Sequence, residues 1–113
     1  MTPLTKVYLL DDTGQRFFGD GPCRLFQLIE QTGSLRAAAE NMGMAYTKAM
    51  KLLKHAEAAI GEPLTERVIG GAKGGGSRLT KAGKELVQAY ETYREACLQA
   101  NCALYSQIFG ANR

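Results

Sequence analysis

Three consecutive alanines, Ala37-Ala38-Ala39, are followed by Gly43 and then by a long run carrying a single apolar stripe. This arrangement constrains the fold more than any other feature of the chain. Alanine sustains a helix while adding almost no side-chain bulk, so a helix built on it lets a second helix approach closely. Gly43 supplies the backbone freedom that a tight turn between two helices requires. Ser34 is placed to cap the first of the pair, expected over Leu35 to Asn41. The second is expected over Ala45 to Ile60. There Ala49, Leu53, Ala56 and Ile60 recur at spacings of four, three and four, before Gly61 and Pro63 end the run.

The face of that second helix opposite its stripe carries Thr47, Lys48, Lys51, Lys54 and His55. A cationic, hydroxyl-bearing face near a helix start is what a reader of the DNA major groove needs. Tyr46 and Met50 lie beside it, where they would meet thymine methyls or sugar edges. His55 sits further along and reads as an ordinary surface residue.

The rest of the chain frames this pair. Residues 4 to 10 and 15 to 18 are apolar runs separated by Asp11-Asp12-Thr13-Gly14, which predicts an N-terminal β-hairpin within residues 1–19. A first helix is expected from Pro22 to Gln31, closed by Gly33. With it, residues 22–61 form a three-helix core. Leu64 to Ile69 and Ser77 to Leu79 read as strands around a loop holding five glycines of residues 70 to 76, giving a wing over residues 64–79. Thr80 caps a long last helix ending near Ile108, the block of residues 80–109. The order helix, helix, turn, helix, strand, loop, strand, helix is a winged helix-turn-helix, mainly α with a little β, in one domain spanning residues 1–113.

Charge agrees with this reading. Residues 36 to 84 hold nine basic and four acidic side chains, an excess of +5, while the remainder of the chain carries −2. A basic middle between near-neutral flanks suits a nucleic-acid partner. In the wing, Arg67, Lys73 and Arg78 would supply positive charge, and the exposed amides of Gly74 and Gly75 would approach phosphates, as would Ser34 at the start of its helix. A nucleotide-binding loop is the rival for the glycines, and it fails in detail. No GxxxxGK[ST] is present, and a short strand rather than a helix follows.

Other function classes are excluded on composition. One His and three scattered cysteines, Cys23, Cys97 and Cys102, form neither a triad, a metal set nor a disulfide framework. The expectation is a non-enzyme without cofactor or metal, with reduced thiols in the cytoplasm. No targeting segment or membrane span is visible.

Thr32-Gly33-Ser34-Leu35, the alanine triplet and Met42 to Met50 together resemble the N-terminal DNA-binding domain of the ModE molybdate-dependent regulators. So do Glu57, Gly61, Leu64, Arg67, the paired and triple glycines of the wing, Leu79-Thr80 and Gly83. The frame is more distantly similar to LysR-type helix-turn-helix domains, and the resemblance runs over residues 18 to 95. It implies double-stranded DNA as partner and a place in molybdate or metal-oxyanion gene control. Where that family usually has Ser, this chain has Ala45, which removes a hydroxyl from the start of the recognition helix. No oxyanion-binding domain is expected within residues 1–113, so for these residues the resemblance implies DNA binding and not molybdate sensing.

The last helix carries Leu86, Tyr90, Tyr93, Cys97, Ala100 and Leu104 at a heptad rhythm. Two copies pairing along that seam would make a two-fold dimer; a helix folded back over its own body is the alternative. The leading function is a dimeric, sequence-specific transcription regulator. A winged module that binds a protein or effector without reading DNA, and a sequence-independent architectural DNA binder, stand beside it.

Overall fold

The computed structural model describes residues 1–69 and 76–110. It is mainly α with two small antiparallel hairpins. In chain order the elements are β1 (Leu9–Leu10), β2 (Arg16–Phe18), α1 (Asp20–Thr32), α2 (Leu35–Asn41), α3 (Tyr46–Ile60), β3 (Thr65–Val68), β4 (Gly76–Leu79) and α4 (Lys81–Phe109). The winged helix-turn-helix order read from the sequence is therefore the observed one.

Local chemistry explains most boundaries. Gly33 and Gly61 end α1 and α3 in the left-handed conformation, and their N–H groups bond the carbonyls of Ile29 and Glu57. Ser34 Oγ accepts from Ala37 N at 2.8 Å, and Thr80 Oγ1 accepts from Gly83 N at 3.1 Å, so both predicted caps form. Helix α1 begins two residues earlier than the Pro22 start expected from the sequence. Pro22 is tolerated there because N–H groups in a first helical turn lack intrahelical partners anyway.

The buried residues gather into one cluster where α1, α2 and α3 meet the wing and the start of α4. Ala38, Ala39, Ala49 and Ala56 are all essentially inaccessible, so two alanines of the triplet and two of α3 lie in the shared core, while Ala37 is half-buried. Ile60, expected as the last member of the α3 stripe, is 38% exposed. Leu64, just past the Gly61 turn, fills the core at that end instead, and its N–H is held by Glu57 Oε2 at 2.9 Å.

The wing docks by its β4 edge. Ser77 N donates to Gly33 O at 2.7 Å and Leu79 N to Glu30 Oε1 at 2.6 Å, while β3 pairs on the other side in the register Glu66↔Arg78 and Arg67↔Ser77. Gly76 lies so close to the Gly33 carbonyl that a β-carbon would collide with it.

The N-terminal hairpin is shorter than the sequence suggested, because only Leu9 and Leu10 pair with β2. The residues before them lie along α4 instead. Val7 O accepts from Tyr90 Oη at 2.8 Å, Thr5 Oγ1 from Asn101 Nδ2 at 2.6 Å, and Met1 O from Tyr105 Oη at 2.7 Å.

Candidate nucleic-acid interface

Helix α3 presents two chemically distinct sides. Ala49, Leu53 and Ala56 are buried, and Thr47, Lys48, Lys51 and Lys54 are exposed on the opposite side. Lys48 and Lys51 have no carboxylate within ion-pairing distance among the described residues, whereas Lys54 Nζ lies 3.5 Å from Glu57 Oε1. Ala45 is the N-cap of α3, exposed and with no side-chain cap bond, so the helix starts with its first amides uncapped by a side chain. Met50 is half-buried and packs against the core, which leaves only part of it facing outward.

His55 leaves the lysine face. Its Nε2 lies 2.8 Å from Asp11 Oδ2, and Phe17 meets its ring edge-on at 6.5 Å. Reading it as an ordinary surface residue is thus corrected: the N-terminal turn reaches across and clasps α3. The hydrogen bond from His55, with others from Thr13 and the Gln15 amide, holds the Asp11 carboxyl well below the usual carboxylate range. The sequence reads Asp11 and Asp12 as turn chemistry. Asp11 does serve the turn through its bonds to Thr13 and Gln15, and it also makes this long-range contact.

Tyr46, at the first turn of α3, is half-buried beneath the Arg36 guanidinium, whose central carbon stands 4.4 Å from the ring centroid. The sequence reading did not single out Arg36 as a site residue. Its spacing from Tyr46 follows no helical period, because the α2–α3 turn separates them, so only the tertiary fold could show the pair. Ser34, Arg36, Tyr46, Arg67 and Ser77 line one open cleft between the starts of α2 and α3 and the wing.

The two wing arginines part company. Arg67 borders that cleft, whereas Arg78, one position off the Ser77 that faces Arg67, takes the alternate side of the hairpin and its Nε donates to Glu66 Oε1 at 2.8 Å. Of the two described arginines expected to supply the wing's positive charge, Arg67 thus borders the cleft and Arg78 is paired with Glu66. Lys73, Gly74 and Gly75, also expected in the wing, lie outside the described residues.

The seam expected on α4 also needs correction. Tyr90 is 1% exposed within a single chain, packed edge-on against Phe18 at 5.2 Å. Its hydroxyl meets Val7 O and Asp20 Oδ1, and burial with the Asp20 contact pushes its pKa up to about 12. Asp20 also receives Arg94 Nη1 at 2.8 Å, which holds its carboxyl below the ordinary range. Burial likewise raises the Cys23 thiol to about 11, the mark of an inert core cysteine. Leu86 is half-buried against the same core. Of the heptad positions, Tyr93 and Leu104 are each 54% exposed, Ala100 is exposed and Cys97 is half-buried. The rhythm of apolar residues is real, but its first half serves the chain's own core and N-terminal strand. Among the described residues, no group of three His, Cys, Asp or Glu side chains is arranged to hold a metal.

An alanine-lined helix pair, a cationic outer face on the second helix and a two-stranded wing beside it define a winged helix-turn-helix of the DNA-binding regulator class. The description "Bacterial regulatory helix-turn-helix protein, lysR family" matches residues 23–84, and the chain belongs to that family. Among characterised relatives it is 38% identical over 96 residues to the molybdenum transport protein ModE of Herbaspirillum seropedicae, covering 85% of this chain and 33% of the relative. It is 34% identical over 79 residues to the DNA-binding transcriptional dual regulator ModE of Escherichia coli K12, covering 68% and 30%. The molybdenum-pterin-binding protein MopB of Rhodobacter capsulatus is 35% identical over 82 residues, covering 73% and 30%. The resemblance to ModE regulators read from the sequence is thereby borne out. The chain spans about a third of the length of these relatives. No helix among the described residues is long and apolar enough to cross a membrane.

Proposed function

We propose that the chain, acting as one domain, binds double-stranded DNA as a homodimer and regulates transcription, with Thr47, Lys48 and Lys51 of α3 facing base edges in the major groove. The observation that carries this reading is the exposed face of α3 opposite its buried alanines, where Lys48 and Lys51 have no ion-pair partner among the described residues. Ala45, Tyr46 and Met50 flank that face, and Lys54, further along and tied to Glu57, is the member best suited to a backbone phosphate. Ser34 and Arg67 approach the backbone beside it; Lys73, Gly74 and Gly75, outside the described residues, are further proposed backbone contacts. Arg78 contributes least, because Glu66 already neutralises it.

Dimerisation would use the outer face of α4, through Tyr93, Cys97, Ala100 and Leu104. At 29 residues α4 is about 44 Å long, well beyond what the core covers. A two-fold pair would offer two recognition helices to successive major grooves, about 34–36 Å apart. The names of the relatives direct the regulatory reading toward genes for handling molybdate or a similar oxyanion.

Duplexes recovered from a genomic pool by binding to the chain test the proposal. In fluorescence anisotropy, Lys48→Ala and Lys51→Ala should weaken binding to a recovered duplex more than to a random one. Equal losses on both would demote the lysines to backbone contacts. No binding to any duplex would favour a protein-interaction module.

A further inference from the structure

The open cleft between the starts of α2 and α3 and the wing has a volume of about 200 Å³ and is lined by Ser34, Arg36, Tyr46, Arg67 and Ser77, with Leu35 at its floor. Two arginines, Arg36 and Arg67, border it from different elements. Neither Arg36 nor Arg67 makes an ion pair or a side-chain hydrogen bond among the described residues. The adjoining residues 70 to 75 contain no acid. The contrast within the wing is informative. On the side away from the cleft a carboxylate answers Arg78, while on the cleft side no carboxylate among the described residues answers Arg67.

Arg36 is also pre-set. Its guanidinium carbon stands 4.4 Å from the Tyr46 ring centroid, a cation–π contact that holds the head group, and its side-chain N–H groups have no hydrogen-bond partner among the described residues. A planar fork held this way suits the oxygens of a phosphate. Tyr46 immediately precedes Thr47 and Lys48 on α3, so a strand bordering the groove that α3 enters would run past the cleft.

Building on the proposed DNA-binding reading, we infer that this cleft seats a single backbone phosphate of the bound duplex. Arg36 and Arg67 grip it jointly, and Tyr46 is a positioning residue that orients Arg36. The base-reading lysines set which sequence is bound, while the cleft fixes how the domain sits along the strand.

The test uses the intact chain, random duplexes over a salt series, and a recovered duplex carrying single methylphosphonate linkages, in which one phosphate at a time is made neutral. Arg36→Ala and Arg67→Ala should each weaken binding roughly tenfold, alike on recovered and random duplexes. Because both arginines serve one phosphate, the double variant should lower the slope of log affinity against log salt by about 0.9 per protomer; two separate phosphates would lower it by about 1.8. One neutral linkage in each half-site should weaken the unsubstituted protein and leave the double variant unaffected. Tyr46→Leu should abolish most of the further cost of Arg36→Ala, and Tyr46→Phe should preserve it. Thermal melts confirm that the exposed-arginine variants fold. If lysine variants lose binding while Arg36→Ala and Arg67→Ala do not, or no single linkage is shared, the cleft assignment is overturned and the major-groove reading survives. If the unsubstituted chain binds no duplex, both fall.

Discussion

Replacing Tyr90 by Phe separates the observed role of this residue from the one its heptad position suggests. The ring would stay where it is, edge-on to Phe18 at 5.2 Å, so packing is conserved and only the hydroxyl is lost. That hydroxyl has a single proton, shared between Val7 O at 2.8 Å and Asp20 Oδ1 at 3.0 Å. Asp20 keeps its bond from Arg94, so the main cost falls on the Val7 carbonyl, which loses its donor beside a residue that is 1% exposed. One such bond, partly charge-assisted, is worth about 1.5 kcal/mol. Unfolding entropy scales near 2.1 cal/mol/K per residue, so for this chain the loss amounts to a fall in Tm of about 6 °C. Thermal unfolding at fixed protein concentration reads this directly, and Tyr93→Phe, at an exposed position on the same helix, should move Tm by less than about 1 °C. Sedimentation should show association unchanged in Tyr90→Phe. A negligible change in Tm, or a chain that dissociates without losing stability, would refute the intramolecular assignment and return Tyr90 to the seam.

Other perturbations probe other parts of the fold. Ala45→Ser places a hydroxyl at the N-cap of α3, where no side-chain bond now exists, and should stabilise the chain by about 1 kcal/mol in urea titrations. Gly76→Ala drives a β-carbon into the Gly33 carbonyl; the wing must shift, costing about 1–3 kcal/mol in thermal unfolding and weakening DNA binding through Arg67. The folded-state pKa values of Asp11 and Asp20 are both depressed, so their stabilising effect is complete above the unfolded value near 4 and is lost as pH falls through the lower folded values. Urea midpoints should therefore fall on acidification below about pH 4, and Asp11→Asn should flatten that decline. Leu104→Glu, on the outer face of α4, should shift the sedimenting species from dimer toward monomer.

The features set by local chemistry were legible from the sequence. Ser34, Gly33, Gly61 and Thr80 specify helix ends through interactions spanning a few residues, and each occupies the cap position expected of it. The alanine triplet revealed the close helix pair for the same reason, since small side chains announce a close approach wherever it occurs. Pairings across the chain were not legible. Asp11 with His55 spans 44 residues, and Tyr90 with Val7 spans 83; nothing in either segment's own pattern names its partner. Charge counts do not separate Arg78 from Arg67, because they ignore the strand alternation that puts Glu66 opposite one and an open cleft beside the other.

The N-terminal strand links these long-range contacts, and it determines how much of α4 is left for a partner. A heptad pattern records that one face of a helix is apolar without saying what covers it. Here residues 1 to 7 lie against α4 and bond Tyr90, Asn101 and Tyr105, which repeat at spacings of 11 and 4 along a single helical stripe. That stripe is already occupied, so the proposed dimer contact falls to the exposed face bearing Tyr93, with Leu104 at the border of the N-terminal strand. The same strand continues through β1 into the turn at Asp11, which holds His55 on α3. One extended segment therefore touches both the helix proposed to join two protomers and the helix proposed to read DNA. Its bonds fix the direction in which α4 leaves the core relative to α3, and in a two-fold dimer that direction sets the separation of the two recognition helices.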